Sequence, residues 1–282
     1  MSEPIRVDAH QHFWRVARGD YTWLTPALGA IHRDFEPADL QPLLATRGIE
    51  ATVLVQAAAT VAETHFMLEL ADRFPFIRGV VGWVDMTSAD ATETLERLAA
   101  HKAFKAVRPM LQDLPDPAWI ATAPTAAAVD TLIRLGLRFD ALVKTLHLPH
   151  LLTFARRHPA LPIVIDHAAK PDMAHGEFAA WRAALEPLAA LPQVHCKLSG
   201  LVTEIGPGWR LQTLRPYADA VLELFGPHRV MWGSDWPVLN LASDYATWGA
   251  TTDTLLARLA AEDRAAVLGG TAVRFYGLQP QR

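Results

Sequence analysis

Pro162-Ile163-Val164-Ile165-Asp166-His167 is the stretch on which the reading of the fold turns. Ile163, Val164 and Ile165 are apolar on both parities, the pattern of a strand covered on both faces, as in a parallel sheet. Such a strand ordinarily ends in another apolar residue or a turn. This one ends in a histidine, with a turn signal following at Lys170-Pro171.

The same unit recurs outward in both directions. Short β-branched or apolar runs lie at Ile5–Asp8, Ala51–Gln56, Ile77–Val84, Phe104–Arg108, Arg138–Leu142, Pro162–Asp166, Val194–Leu198 and Val230–Ser234. Helical spacing fills the intervals at Pro37–Arg47, Val61–Arg73, Ala89–Lys102, Thr125–Leu135, His147–Arg157, Glu177–Leu191, Leu214–Phe225 and Tyr245–Leu259, with a short last helix at Ala261–Leu268. Eight strand-then-helix units predict an α/β chain folded as a single (β/α)8 TIM barrel over residues 1–282, with chemistry at the C-terminal ends of its strands. The competitor is an open doubly wound sheet. Against it, no G-x-G-x-x-G follows the first strand and no P-loop occurs.

Composition narrows the function. The 282 residues are 51% hydrophobic and 20% charged, an ordinary globular balance, and the net charge of −4 offers no basic field for nucleic acid or an anionic membrane. The single cysteine, Cys196, excludes an internal disulfide and a Cys-rich zinc site. No signal-like run opens the chain, and no stretch reaches the ~20 apolar residues of a membrane span, so a cytoplasmic location is expected. Twelve His and nine Trp lean toward a small-molecule enzyme.

Polar residues collect where a barrel would place its chemistry. In extended backbone His10 and His12 project into one space while Gln11 turns away, so two imidazoles could ligate a metal or donate to one oxyanion. Paired loop histidines are the bland alternative. His167 closes the sixth strand, although a satisfied core histidine has the same appearance. Asp235, between Trp232 and Trp236 at the mouth of the last strand, is a base candidate, or else a turn cap. Arg108 is a candidate anion or hydroxyl clamp, or else the structural partner of an acidic neighbour. Gln56 and Trp83 close the second and third strands. Lys197, Ser199 and His195 share one parity, and either one of them lines the pocket or Lys197 snorkels to solvent. The loop from Phe13 to Phe35 carries Trp14, Tyr21 and Trp23, which either stack on a sugar-like ring or seal the barrel top. No G-x-S-x-G elbow and no H-E-x-x-H occur.

Four strings carry a family resemblance: Asp8-Ala9-His10-Gln11-His12-Phe13-Trp14, Asp166-His167-Ala168-Ala169-Lys170-Pro171, Cys196-Lys197-Leu198-Ser199-Gly200-Leu201-Val202-Thr203-Glu204 and Gly233-Ser234-Asp235-Trp236-Pro237-Val238. On them the chain resembles the amidohydrolase superfamily, and within it the amidohydrolase-related lactonase branch. Members open sugar lactones such as L-fuconolactone and L-rhamnonolactone, or 2-pyrone-4,6-dicarboxylate. The resemblance implies a lactone hydrolase of carbohydrate catabolism, with L-fuconolactone or a close aldonolactone as substrate. Asp235 would act as base, His10, His12 and His167 as carbonyl activators, and Arg108, Gln56, Trp83, Trp23 and Lys197 as substrate contacts. No clear bridging lysine follows the fourth or fifth strand, Lys144 lying a little past the latter. A binuclear centre is therefore not expected. Some lactonases of this branch need no divalent metal, so the resemblance implies that none is required, though one divalent ion such as zinc could sit on His10, His12, His167 and Asp235. A pyrone-dicarboxylate lactonase, a metal-dependent decarboxylase or deaminase on the same barrel, and a non-catalytic binding barrel are the alternatives. Oligomeric state is left open.

Overall fold

The structure, a computed structural model, describes residues 5–279. The predicted eight strands are present: β1 Val7–Gln11, β2 Ala51–Val55, β3 Ile77–Gly82, β4 Phe104–Val107, β5 Arg138–Ala141, β6 Ile163–Ile165, β7 Val194–Leu198 and β8 Val230–Trp232. They form one sheet in the order β1 to β8, every neighbouring pair parallel. The ends meet just beyond β8. Gln11 bridges Trp236 in parallel, and the amide of His12 donates to the Trp236 carbonyl at 2.7 Å. The result is a (β/α)8 barrel.

Among the described residues nine helices connect the strands and three follow β8: α1 Pro37–Arg47, α2 Val61–Arg73, α3 Ala91–Ala99, α4 Trp119–Thr122, α5 Ala126–Arg134, α6 Leu148–Arg157, α7 Phe178–Ala189, α8 Leu201–Ile205 and α9 Leu211–Phe225, then α10 Tyr245–Leu256, α11 Ala261–Ala265 and α12 Thr271–Tyr276. Local chemistry sets several starts. The Thr60 hydroxyl accepts the Glu63 amide at 3.0 Å ahead of α2, and Asp244 accepts the Thr247 amide at 2.8 Å ahead of α10.

Several boundaries depart from the sequence reading, most of them by one to three residues. The first strand begins at Val7 rather than Ile5 and runs on through His10 to Gln11: all five residues are buried, and Val7, Asp8 and Gln11 pair with β2. The N-terminal residues 1–4, from which the absence of a signal was read, lie outside the described residues. The last predicted helix stops at Ala265 and loosens into a π-type turn, where Gly269 lets the backbone of Ile5 approach. A Cβ there would sit 2.0 Å from the Ile5 carbonyl oxygen.

The barrel interior is lined by small side chains, among them Ala9, Ala51, Val53, Val55, Ala106 and Val164. Its lower end is plugged by Phe275 and Tyr276 of the unpredicted α12 and by Leu278. Larger residues fill the layer between strands and helices. No helix among the described residues is long and apolar enough to cross a membrane. The long loop after β1 folds back on itself, with Trp14 and Phe35 exchanging backbone hydrogen bonds at 3.0 Å. Trp14 is fully buried against Tyr21, Trp23 and Phe35, so it seals the barrel top rather than facing a ligand.

Candidate active site

A register shift aims the first histidines. Asp8 pairs beside Thr52 and Gln11 beside Leu54, three steps along β1 against two along β2. Strict alternation from Val7, which faces the interior, would turn His10 outward with Asp8. The extra residue changes the face, so His10 and His12 both enter the barrel, and Gln11 points away to donate to the Thr52 hydroxyl at 3.1 Å. Asp8 stays outside and braces the seam. Its carboxylate accepts the amides of His10 (3.2 Å) and Ser234 (2.9 Å) and the Tyr245 hydroxyl (3.0 Å). Burial pushes Asp8 up to about 6 against those hydrogen bonds.

The four residues expected to carry the chemistry converge on one oxygen. Asp235 Oδ1 lies 3.2 Å from His12 Nε2, 3.7 Å from His10 Nε2 and 3.8 Å from His167 Nε2. The two Nε2 atoms of His10 and His12 are 3.2 Å apart. His12 Nδ1–H donates to the Val55 carbonyl at 2.7 Å, which leaves its Nε2 lone pair facing the cavity. His167 is fixed from behind by the Ser199 hydroxyl, 2.9 Å from its Nδ1. Burial lowers the proton affinity of all three imidazoles, His167 to about 4, and Lys197 and Arg108 add to the effect on His10 and His12 respectively. Burial alone would raise Asp235, but the surrounding histidines outweigh it and hold the carboxyl well below its ordinary range. At neutral pH the site is an ionised carboxylate ringed by neutral imidazoles.

Beneath it runs a buried ionic layer that sequence reasoning did not assemble. Lys197 Nζ contacts Asp140 Oδ2 at 2.6 Å, Asp166 Oδ1 at 3.0 Å and His10 Nδ1 at 3.1 Å. Tyr276 donates to Asp140 from below at 2.7 Å, and Arg108 Nη1 lies 3.3 Å from Asp166 Oδ2. Asp166 is held well below its ordinary range: burial works against ionisation, but Lys197, His10 and Arg108 prevail. Asp140, with the same burial and fewer cations, is raised to about 6. Asp166 directly precedes His167 in a string already singled out, so a polar residue at that point was the available signal. Asp140 and Tyr276 gave none.

Could this site hold an ion? Tetrahedral ligands at ~2.0–2.1 Å from zinc stand about 3.3 Å apart, close to the spacing among His10 Nε2, His12 Nε2 and Asp235 Oδ1. His10, His12 and Asp235 form one compatible set, and His10, Asp166 and His167 a second. Asp166 Oδ1, ion-paired with Lys197 at 3.0 Å, also lies 3.5 Å from His10 Nδ1, where it can take that proton when Nε2 donates its lone pair. The donor set therefore fits a divalent ion, and the expectation that none is required finds no support here. Lys144 does not bridge the site: it is exposed, on the wall of a separate outer cavity.

The backbone after β6 is unusual. His167, Ala168, Ala169 and Lys170 all adopt positive φ, 52°, 51°, 62° and 47°, and none is glycine. Each costs ~1–2 kcal/mol in isolation. The turn persists because it is held from several sides. The Lys170 amide donates to the His167 carbonyl (2.9 Å), Trp181 Nε1 donates to the Ala168 carbonyl (2.7 Å), and Ala168 and Ala169 are fully buried.

A cavity of about 240 Å³ opens onto Asp235, His12 and His167, while His10 is fully buried and not on its wall. It is smaller than the ~300–1,000 Å³ that takes a drug-sized ligand. Its wall includes His12, His167 and Asp235, with Trp23, Arg108, Lys170, Gln112 and Asp113, and an apolar side of Leu28, Met110, Leu142, Val238 and Leu241. Of the expected substrate contacts, Trp23 and Arg108 are on this wall. Trp23 is oriented by its Nε1–H, which donates to the Ala57 carbonyl at 2.7 Å. Three others are elsewhere. Gln56 is fully buried and donates to the Arg108 carbonyl at 2.7 Å, while its own carbonyl accepts from Arg108 Nη2. It therefore positions Arg108 rather than facing the cavity. Trp83 is half-buried outside the wall. Lys197 is held below the floor by its carboxylates, for which sequence parity gave no warning. His195, of the same parity, packs on Phe275 at the barrel's lower end.

A family model described as Amidohydrolase matches residues 7–278. The chain is 50% identical over 276 residues to an L-fucono-1,5-lactonase from Burkholderia ambifaria, covering 96% of this chain and 95% of that protein. It is 41% identical to an L-fucono-1,5-lactonase from Burkholderia multivorans, covering 97% and 96%. It is also similar to a solved crystal structure of an amidohydrolase from Burkholderia multivorans with bound zinc, with 40% identity, a TM-score of 0.90 and coverage of 98% of this chain and 100% of that one.

Proposed function

The chain belongs to the amidohydrolase family, and from that membership we propose that it is a lactonase that opens L-fucono-1,5-lactone or a close aldonolactone. The observation that carries the reading is the convergence of His10, His12 and His167 on Asp235 Oδ1, which lies on the wall of a cavity of about 240 Å³. The similarity to two L-fucono-1,5-lactonases over nearly the full chain supports the substrate class. It also favours a sugar-derived ring over a pyrone dicarboxylate and over decarboxylation or deamination.

Asp235 accepts a hydrogen bond from water and orients it toward the ring carbonyl. His167, on the cavity wall with the Ser199 hydroxyl at its Nδ1, presents Nε2–H to the carbonyl oxygen, and the fully buried His10, with Lys197 against Nδ1, carries its proton on Nε2. Arg108 Nη1, 3.4 Å from that nitrogen, adds a positive charge. Such preorganised donors in a site shielded from water are worth several kcal/mol to a developing oxyanion. Water oxygen bonds to the carbonyl carbon, the acyl–ring oxygen bond breaks, and the proton held on Asp235 passes to the departing ring oxygen. The product is an open-chain hydroxy acid that ionises to a carboxylate. A divalent ion held by His10, His12 and Asp235 would supply Lewis acidity and a more acidic water. The apolar wall formed by Leu142, Val238 and Leu241 offers a place for a ring methyl group, and Gln112 and Asp113 can meet hydroxyls.

A panel of aldonolactones and pyrone lactones, followed with a pH indicator, tests the proposal. Turnover should be highest with L-fucono-1,5-lactone or a stereoisomer. Turnover of pyrones alone, or of no lactone, contradicts it.

A further inference from the structure

Arg108 and Lys170 are the two Arg or Lys side chains on the wall of the site cavity, and they are held very differently. Arg108 is almost fully buried and tied to Asp166 and the Gln56 carbonyl. Lys170 is partly exposed, and its ion-pair partner, Glu204, is 3.5 Å away and itself partly exposed. A pair of that kind contributes little to stability. It does not explain four consecutive left-handed residues.

That turn has a geometric consequence. In a single left-handed turn, residues three apart return to the same side, and His167 and Lys170 are three apart. Both line the site cavity. Lys170 also lines a second, outer cavity of about 650 Å³, bounded by Lys144, Thr145, Asp172, Glu177 and Glu204. Its ammonium thus stands on the boundary between the reaction chamber and an outer chamber, with a weakly held partner on the outer side.

Ring opening changes the charge in the inner chamber. A neutral ester becomes a carboxylate next to ionised Asp235, and the two repel. A cation that can move toward the new charge relieves that repulsion, and Arg108 is too tightly held to do so. We propose that Lys170 is a product-binding residue, which exchanges Glu204 for the carboxylate formed by hydrolysis and holds it at the boundary of the two cavities. The inference rests on the lactonase reading above.

The test is product inhibition, using as probe the hydroxy acid obtained by alkaline opening of whichever lactone the wild type turns over. Lys170→Met should raise its competitive inhibition constant at least tenfold while KM for the neutral lactone stays within threefold. Lys170→Arg should keep the constant within threefold of wild type. Glu204→Gln, which alters no left-handed residue, should lower it severalfold by freeing the ammonium, and it carries the test if Lys170→Met does not fold. An unchanged inhibition constant in Lys170→Met or in Glu204→Gln, or a parallel rise of KM in Lys170→Met, overturns the proposal and leaves the lactonase reading standing. A wild type that opens no lactone removes both.

Discussion

The amide of Asp235 donates to the carbonyl of His10 at 2.8 Å. A hydrogen bond of the seam that closes the barrel is therefore also the one that sets the carboxylate against the first imidazole. Fold and site share a seam, and Asp8 pins both sides of it through the amides of His10 and Ser234. Closing the barrel assembles the site.

Gly200 is the sharpest steric control on that assembly. Its φ is +67°, and a Cβ there would lie 2.6 Å from His167 Nδ1. Gly200→Ala should displace the imidazole and lower kcat by roughly 10²-fold, the scale of a 1 Å misplacement. It should also cost ~1 kcal/mol of stability from the left-handed backbone alone. Steady-state kinetics beside thermal unfolding checks this. Normal kcat with only a lower Tm would remove His167 from the chemistry.

Glu63 links the pocket rim to pH. Its carboxylate accepts the amides of Ala57 (3.0 Å) and Ala58 (2.7 Å), and the Ala57 carbonyl orients Trp23. Burial raises Glu63 from 4.5 to about 7 despite those bonds. A carboxyl raised by folding binds its proton more tightly in the native state. Its favourable contribution is complete below pH 4.5 and is lost as pH rises through 7. Relative to Glu63→Gln, the wild type should therefore lose on the order of 3 kcal/mol between those limits. Urea unfolding of both proteins from pH 4 to 8 measures the difference, and a flat difference would contradict it.

Ion binding can be tested without turnover. Competition with a chromophoric chelator should give one zinc per chain. His12→Ala should abolish binding, and Asp166→Asn should weaken it by roughly 10–100-fold through loss of the acceptor beside His10 Nδ1. Equal affinity in all three proteins would place the ion elsewhere.

Much of the barrel was legible because eight apolar runs alternate with helical spacing, and β6 shows that pattern within six residues. The site was legible where chemistry and strand end coincide, at His10, His12, His167 and Asp235. Other features depend on contacts far apart in the chain. The shift that turns His10 inward is a property of β1 against β2, not of either alone. Lys197 reads as a pocket residue by parity and lies under the floor because Asp140 and Asp166 arrive from two other strands. Lys170 reads as a turn marker, and nothing in its neighbours announces that the turn is left-handed.

The most direct measurement is kcat of Asp235→Asn on L-fucono-1,5-lactone, with circular dichroism and a melting curve to show that the fold is retained. The isosteric amide keeps the shape and removes the proton acceptor. We predict a fall of ~10²–10⁴-fold, the range typical of a lost general base, with KM within a few-fold of wild type. A folded variant that turns over at the wild-type rate would show that the carboxylate facing His10, His12 and His167 is not the group that takes the proton from water.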